Sequence, residues 1–222
     1  CHGKVTAGTL FHHAKAHGWC DDGSRGKPTS DELRQQWRVA ALQAAKTQAR
    51  IERERAEAAQ KAAAIWKKAA PASADHPYLS CKHVCPVASL REIDARTAAA
   101  ILGYSPKSKG TALGGRLLVV PAKVGDTLST LELIDEAGRK SALYGGAKKG
   151  GYWAAQPLPE GDGAGLVLII GEGVATVLSA KEATGHPAIA ALSASNLPAV
   201  AKAMRERYPA ATLVILADLV KS

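Results

Sequence analysis

Two carboxylates stand where continuous apolar runs end: Glu172, framed by Gly171 and Gly173 after residues 166–170, and Asp218, after residues 213–216. Carboxylates on a rigid edge suit Mg2+ (or Mn2+), which usually takes one or two protein carboxylates and fills its octahedron with water and substrate phosphate. A metal so held neutralises charge developing on a transferred phosphoryl group and aligns nucleophile with leaving group. The glycines beside Glu172 let the backbone turn sharply off a strand and let phosphate approach the amides of a following helix. Glu172 would also stabilise that helix merely by sitting at its positive end, and Gly-Glu-Gly alone does not choose between the two. Gly171-x-Gly173 also begins a dinucleotide-binding G-x-G-x-x-G, but Thr176 takes the third glycine's place and no strand-end acid lies about 20 residues beyond.

For Glu172 and Asp218 to meet, the residues between them must alternate strand and helix. Residues 166–170, 188–192 and 213–216 are unbroken apolar runs, as in parallel strands buried on both faces. Residues 173–184, closed by Gly185, and 197–208 have the composition and stop signals of helices. The pattern predicts an α/β unit of βαβαβ order. Its carboxyl edge would gather Glu172, the segment from Ser193 to Asn196, and Asp218.

The upstream chain has a different character. From Thr29 to about Ala70 there is no Gly or Pro, and Thr29 with Glu32 has capping-box spacing, so one long helix is expected. Its large apolar residues (Leu33, Trp37, Val39, Leu42, Ile51, Ile65 and Trp66) form too sparse a stripe to hold a core alone. Before it, Leu10, Phe11 and Ala14 share one helix face that Gly18 would end, and residues 20–30 form a polar loop. After it, residues 71–92, with Pro71, Pro77 and Pro86, predict an irregular connector. A short helix over 94–102 follows. Residues 116–121, 127–134 and 142–144, with a turn at 135–138, then predict a small, mainly antiparallel sheet. Gly145, Gly146, Gly150 and Gly151 make a flexible loop carrying Lys148 and Lys149, and the nearby Tyr152 and Trp153 suit base stacking or packing against the sheet.

A formal charge of +9 on 222 residues favours an acidic partner, nucleic acid or an anionic membrane surface. No apolar stretch approaches the roughly 20 residues of a membrane span and the N-terminus lacks a signal-like run, so a cytoplasmic protein with reduced thiols at Cys1, Cys20, Cys81 and Cys85 is expected. The chain begins with Cys, as a piece of a longer protein would. Cys81-x-His83-x-Cys85 is spaced more tightly than structural zinc sites and lacks a neighbouring second pair, so zinc is not expected. His76, His2, His12, His13 and His17 could complete such a set only from distant segments.

The segment LVLIIGEGVATVLSAKEATGHPAIAALSASNLPAVAKAMRERYPAATLVILAD resembles the Toprim domain shared by bacterial-type DNA primases, topoisomerases and some nucleases, in particular that of phage and plasmid primase or primase-helicase proteins. The likeness covers about 165–222. It extends more loosely to GGRLLVVPAKVGDTLSTLELIDEAGRKSALYGGAKKGGYW, to the opening motif DHPYLSCKHV, and to KVTAGTLFHHAKAHGW, which is similar to the end of a small helical domain. Composition and the resemblance together give four expected parts: 1–28, the tail of a helical domain and a loop; 29–70, a helical linker; 71–164, a basic α+β subdomain; and 165–222, the Toprim domain.

By position, the resemblance makes Glu172 the residue of acid/base or metal work and Asp218 the first Asp of an Asp-x-Asp metal motif. Leu219 and Val220 follow, so the second Asp is missing. It turns Arg116, Arg139, Lys140, Lys148 and Lys149 toward template and incoming nucleotide, with Arg116 and Lys140 foremost because they sit on or beside strands, and gives Gly171, Gly173 and Asn196 nucleotide contacts. The implied activity is Mg2+-dependent synthesis of short RNA primers on single-stranded DNA from ribonucleoside triphosphates in phage or plasmid replication, beside a fused or associated helicase. A Toprim-type nuclease and a non-catalytic DNA-binding or assembly module are the alternatives.

Overall fold

The computed structural model describes residues 30–217. The amphipathic pattern and loop expected before residue 30, Thr29 of the expected capping box, the N-terminal cysteines and histidines, and Asp218 lie outside the described residues. The chain divides into two compact units between Ala49 and Arg50. Among the described residues no helix is long and apolar enough to cross a membrane.

Helix α1 (Ser30–Lys68) has the uninterrupted length its Ala-rich sequence predicts. In the first unit its described side chains are exposed, Trp37 at 76% and Leu42 at 63%. In the second unit Ala58, Ala62, Ile65 and Ala69 return every three or four residues to one face, and that face is buried. Arg91 ends the helix by donating to the Trp66 carbonyl at 2.6 Å, with its guanidinium 4.5 Å from the Trp66 ring.

A five-stranded antiparallel sheet follows, in the order β1 (Ala70–Pro71), β2 (Arg91–Asp94), β5 (Arg116–Val124), β6 (Thr127–Ile134) and β7 (Lys140–Ala142). The connector expected to be irregular contains β1 and a short helix, α2 (Pro77–Cys81). His76 caps α2 by accepting from the Tyr78 amide, and Pro77 fits its first turn because no amide is needed there. Helix α3 (Ala95–Leu102) starts on Asp94, which accepts from the Arg96 and Thr97 amides, and stops on Gly103 at φ 77°. A two-stranded hairpin, β3 (Lys107–Ser108) with β4 (Thr111–Ala112), leads into β5.

Strand β5 runs past Pro121, where the sequence suggests it should stop. Strand β2 pairs only with Arg116–Val119, so β5 has a single neighbour at Pro121, the setting in which a strand tolerates proline. A register shift after Ala122 bends its last residues. The third strand forms at Lys140–Ala142, two residues before its expected place, because the Asp135–Gly138 turn closes tightly and pairs Lys140 with Ile134.

The C-terminal sheet has the order β11 (Thr212–Ile215), β9 (Val167–Gly171), β10 (Ala188–Ala190), β8 (Trp153–Ala154), with β11, β9 and β10 parallel and β8 antiparallel at the edge. Helices α4 (Val174–Thr184) and α5 (Leu197–Arg207) make the two crossovers, and Gly185 ends α4 at φ 71°. The expected βαβαβ unit is thus present. Strand β11 departs from the expected two-sided burial: it has β9 on one side only and leaves Val214 and Ile215 38% and 50% exposed.

Both faces of the antiparallel sheet are covered. Leu117, Val119, Leu131 and Leu133 pack with α3 and the buried face of α1. Leu118, Val120 and Ile134 pack with Ile169, Val174, Val177 and Trp153, so one continuous core joins this sheet to the parallel one. At about 25 cal/mol per Å² of apolar surface removed from water, such a shared layer holds the two sheets in fixed relation.

Candidate functional site

Glu172 occupies the turn between β9 and α4, and its backbone is locked from the neighbouring strand. The Gly171 carbonyl accepts from Ala191 N and the Glu172 carbonyl from Leu192 N, each at 2.8 Å. Leu192 adopts φ 63°, a left-handed conformation unusual for a branched residue, and its side chain is buried in the core. The Glu172 carboxylate is half-buried and has no hydrogen bond or ion pair to a described residue. Gly173, the N-cap of α4, supplies no side-chain cap; Val174 is fully buried and the Ala175 backbone faces the Tyr78 phenol, so the helix start offers an anion its positive dipole end rather than those two amides.

Each glycine is required for a different reason. A Cβ on Gly171 would meet Val177 Cγ2 at 2.9 Å, whereas one on Gly173 would find only Thr176 Oγ1 at 3.7 Å and Lys140 Nζ at 3.8 Å. Gly171 permits packing. Gly173 keeps open the approach to the helix start, and it shows that the exposed Lys140 ammonium stands beside that start.

Asn196 holds a third segment on the same edge. Its Nδ2 donates to the Ala191 and Gly151 carbonyls at 2.8 Å each, and its Oδ1 accepts from Gly150 N at 2.8 Å. With the residue 6% exposed, its amide serves the fold and ties the Gly-rich loop to the carboxyl edge. Within that loop the two lysines part. Lys148 donates to Glu132 Oε2 at 3.0 Å, while Lys149 is exposed.

The two arginines are committed to protein carboxylates. Arg139 Nε and Nη2 each lie 2.7 Å from Asp135 Oδ2, and its amide donates to Oδ1, closing the 135–138 turn around a buried carboxylate. Arg116 donates to Asp75 Oδ1 at 3.0 Å and to the Asp75 carbonyl at 2.9 Å, with Glu92 and Glu136 at 3.7 and 3.9 Å. Hydrogen bonds from Ser73 and then from Arg116 hold Asp75 below the usual carboxylate range, and the Asp75 contact raises Arg116 further. Arg116 therefore pins the DHPY segment to the first residue of β5.

Sequence reading passed over what lies behind this edge. Tyr78 is buried, and burial pushes its phenol pKa up; the negative charge of Glu132 adds to the rise and the backbone of Ala175, in the first turn of α4, opposes it. Glu132 is itself only 3% exposed, with Oε1 unpaired among the described residues. The alternation Leu131-Glu132-Leu133 looks like a strand with one wet face, yet that face is covered. The sole signal was the likeness of DHPYLSCKHV, which carries Tyr78.

Among the described residues no group of three or more His, Cys, Asp or Glu side chains is gathered as a metal site, and Cys81 and Cys85 are exposed free thiols. Tyr152 and Trp153 are 4% and 1% exposed, so both pack into the core.

The family model described as "Toprim domain" matches residues 167–221, which contain β9, α4, β10, α5 and β11. Residues 167–221 are a Toprim domain. Glu172 thus lies at the first strand–helix turn of the Toprim sheet. Two curated relatives, each named DNA primase TraC, from Escherichia coli, are similar over longer stretches: one is 33% identical over 105 residues, 47% of this chain and 10% of the relative, the other 34% over 89 residues, 40% of this chain and 6% of the relative. The chain thus corresponds to a tenth or less of those proteins' length. The first of these stretches is longer than the Toprim segment itself. No solved structure matches.

Proposed function

We propose that this chain is the primase-type catalytic segment of a replication protein, joining ribonucleotides on a single-stranded DNA template. The observation that carries the reading is the free Glu172 carboxylate at the β9–α4 turn, beside the uncapped start of α4 and the Lys140 ammonium. A carboxylate, a cation and the positive end of a helix on one rigid edge are parts that phosphoryl transfer needs, because its catalysis is mostly positioning and charge neutralisation.

In this reading a nucleotide's phosphates lie against the start of α4, where the positive end of the helix and Lys140 offset their charge. Glu172 would hold Mg2+, with Asp218, outside the described residues, as the second carboxylate. A half-buried carboxylate with no partner among the described residues fits a cation that takes one or two such ligands, and the bound ion would supply charge neutralisation at the transferred phosphoryl group. Lys149, on the loop that Asn196 ties to this edge, would track the template backbone. Residues 71–164 would form the template-facing subdomain and 165–222 the metal-holding one.

The test is incorporation of labelled ribonucleotides into short RNA on single-stranded DNA with Mg2+, run beside a plasmid-nicking assay. RNA synthesis without nicking is expected. Nicking without RNA synthesis overturns the reading in favour of a nuclease. A second reading, a non-catalytic DNA-binding module, is favoured by Leu219 and Val220 standing where the metal motif would continue. It requires neither activity, and DNA binding indifferent to Mg2+.

A further inference from the structure

We propose that a cleft on the outer side of β8, away from the Glu172 edge, binds a segment of single-stranded nucleic acid. The proposal rests on the reading above only for its ligand class. The cleft has a volume of ≈ 960 Å3 and an apolar wall to which Trp66, Leu128 and Leu158 contribute. Trp66 is half-exposed, so its ring can receive a base, whereas Tyr152 and Trp153 only form the floor.

Lys123, Lys181 and Arg207 also line this cleft. Lys181 stands in the last turn of α4 and Arg207 in the last turn of α5. Both helices start at the carboxyl edge of the parallel strands, so these cations lie at the opposite end from Glu172. The lining carboxylate, Asp126, already accepts from Arg207 at 3.3 Å, which leaves the charge of Lys123 and Lys181 uncompensated. Arg207 is also braced by the Tyr152 hydroxyl at 3.2 Å and by the Tyr208 ring at 5.3 Å. An apolar wall edged by fixed and free cations suits stacked bases on a phosphate backbone better than an apolar peptide.

Gln156 supplies an independent observation. It lines the cleft, yet both its amide atoms are buried without a hydrogen-bond partner among the described residues. Leaving such groups unpaired is costly, so turning the amide toward a ligand forfeits no hydrogen bond and gains a donor and an acceptor for a base edge. A purely structural Gln156 would gain nothing from that turn.

The experiment is fluorescence anisotropy with a labelled oligothymidylate of about a dozen residues, at several salt concentrations. Lys123→Ala/Lys181→Ala should weaken binding about tenfold and lower the salt slope by about 1–2. Gln156→Leu should weaken it about threefold while leaving the melting temperature equal or higher, a pairing that a merely structural role does not produce. Free thymidine monophosphate should not displace the strand at comparable concentration. Unchanged binding in the variants, or displacement by the mononucleotide, overturns the cleft proposal while leaving the primase reading in place. Absence of binding by the unaltered protein removes nucleic acid as the ligand class and both readings with it.

Discussion

Lys140 holds its ammonium 3.8 Å from the point where a Cβ on Gly173 would sit. The strand that carries Lys140 belongs to the antiparallel sheet, and Gly173 opens the first Toprim helix. The contact therefore places a cation from one sheet at the helix start of the other, one residue from Glu172. Its position depends on the shared core layer, since Ile134, the cross-strand partner of Lys140, packs in the same cluster as Val174 and Val177.

The two glycines beside Glu172 should respond differently to the same change. Gly173→Ala meets only ordinary contacts at φ −106°, so unfolding free energy should stay within about 0.5 kcal/mol while nucleotide affinity falls several-fold. Gly171→Ala forces a methyl into Val177 and should cost about 1–3 kcal/mol. Chemical denaturation and nucleotide titration of the pair check both.

Lys148→Ala leaves the buried Glu132 carboxylate without its ion-pair partner and should destabilise the fold by about 2–3 kcal/mol, somewhat less than a fully enclosed pair because Lys148 is partly exposed. Adding Glu132→Gln to that variant should recover most of the loss. Urea unfolding of the four-protein cycle measures the coupling.

His76 is buried, and burial holds its pKa below the ordinary 6.5; the positive charge of Arg116 adds to this, and Glu92 and Glu136 oppose it. Its contribution is intact above pH about 6.5. It is lost as pH falls from there through the lower folded value, because the unfolded chain takes up a proton first. His76→Asn, which can keep the cap on Tyr78, should flatten the stability–pH curve in that window, as urea melts between pH 7.5 and 5 would show.

Asn196→Ala removes an amide that serves two carbonyls and the Gly150 N–H, all near the carboxyl edge. A loss of about 2 kcal/mol is expected, together with faster proteolysis within residues 145–151, because the loop would lose its tether.

The parallel unit was legible in the sequence because its signals are local: unbroken apolar runs, a Gly after the first strand and after the first helix, and an acid at the first turn. The tertiary roles of polar residues were not. Asn196 looked like a ligand contact because a polar residue after a strand faces the edge, yet a loop 45 residues away uses its amide. Arg116 is basic and starts a strand, but three carboxylates from separate segments surround it. Glu132 alternates with leucines as a wet-face residue would, and only the docking of the second sheet buries it. Pairings of this kind join distant residues and leave no periodicity to read.

The central claim is that Glu172 performs or positions the metal-dependent step, and Glu172→Gln tests it most directly in the primer-synthesis assay. The carboxylate has no partner among the described residues to lose, so the melting temperature and oligonucleotide binding should be unchanged while ribonucleotide incorporation falls at least about a hundredfold. Incorporation by Glu172→Gln at the rate of the unaltered protein would contradict the account.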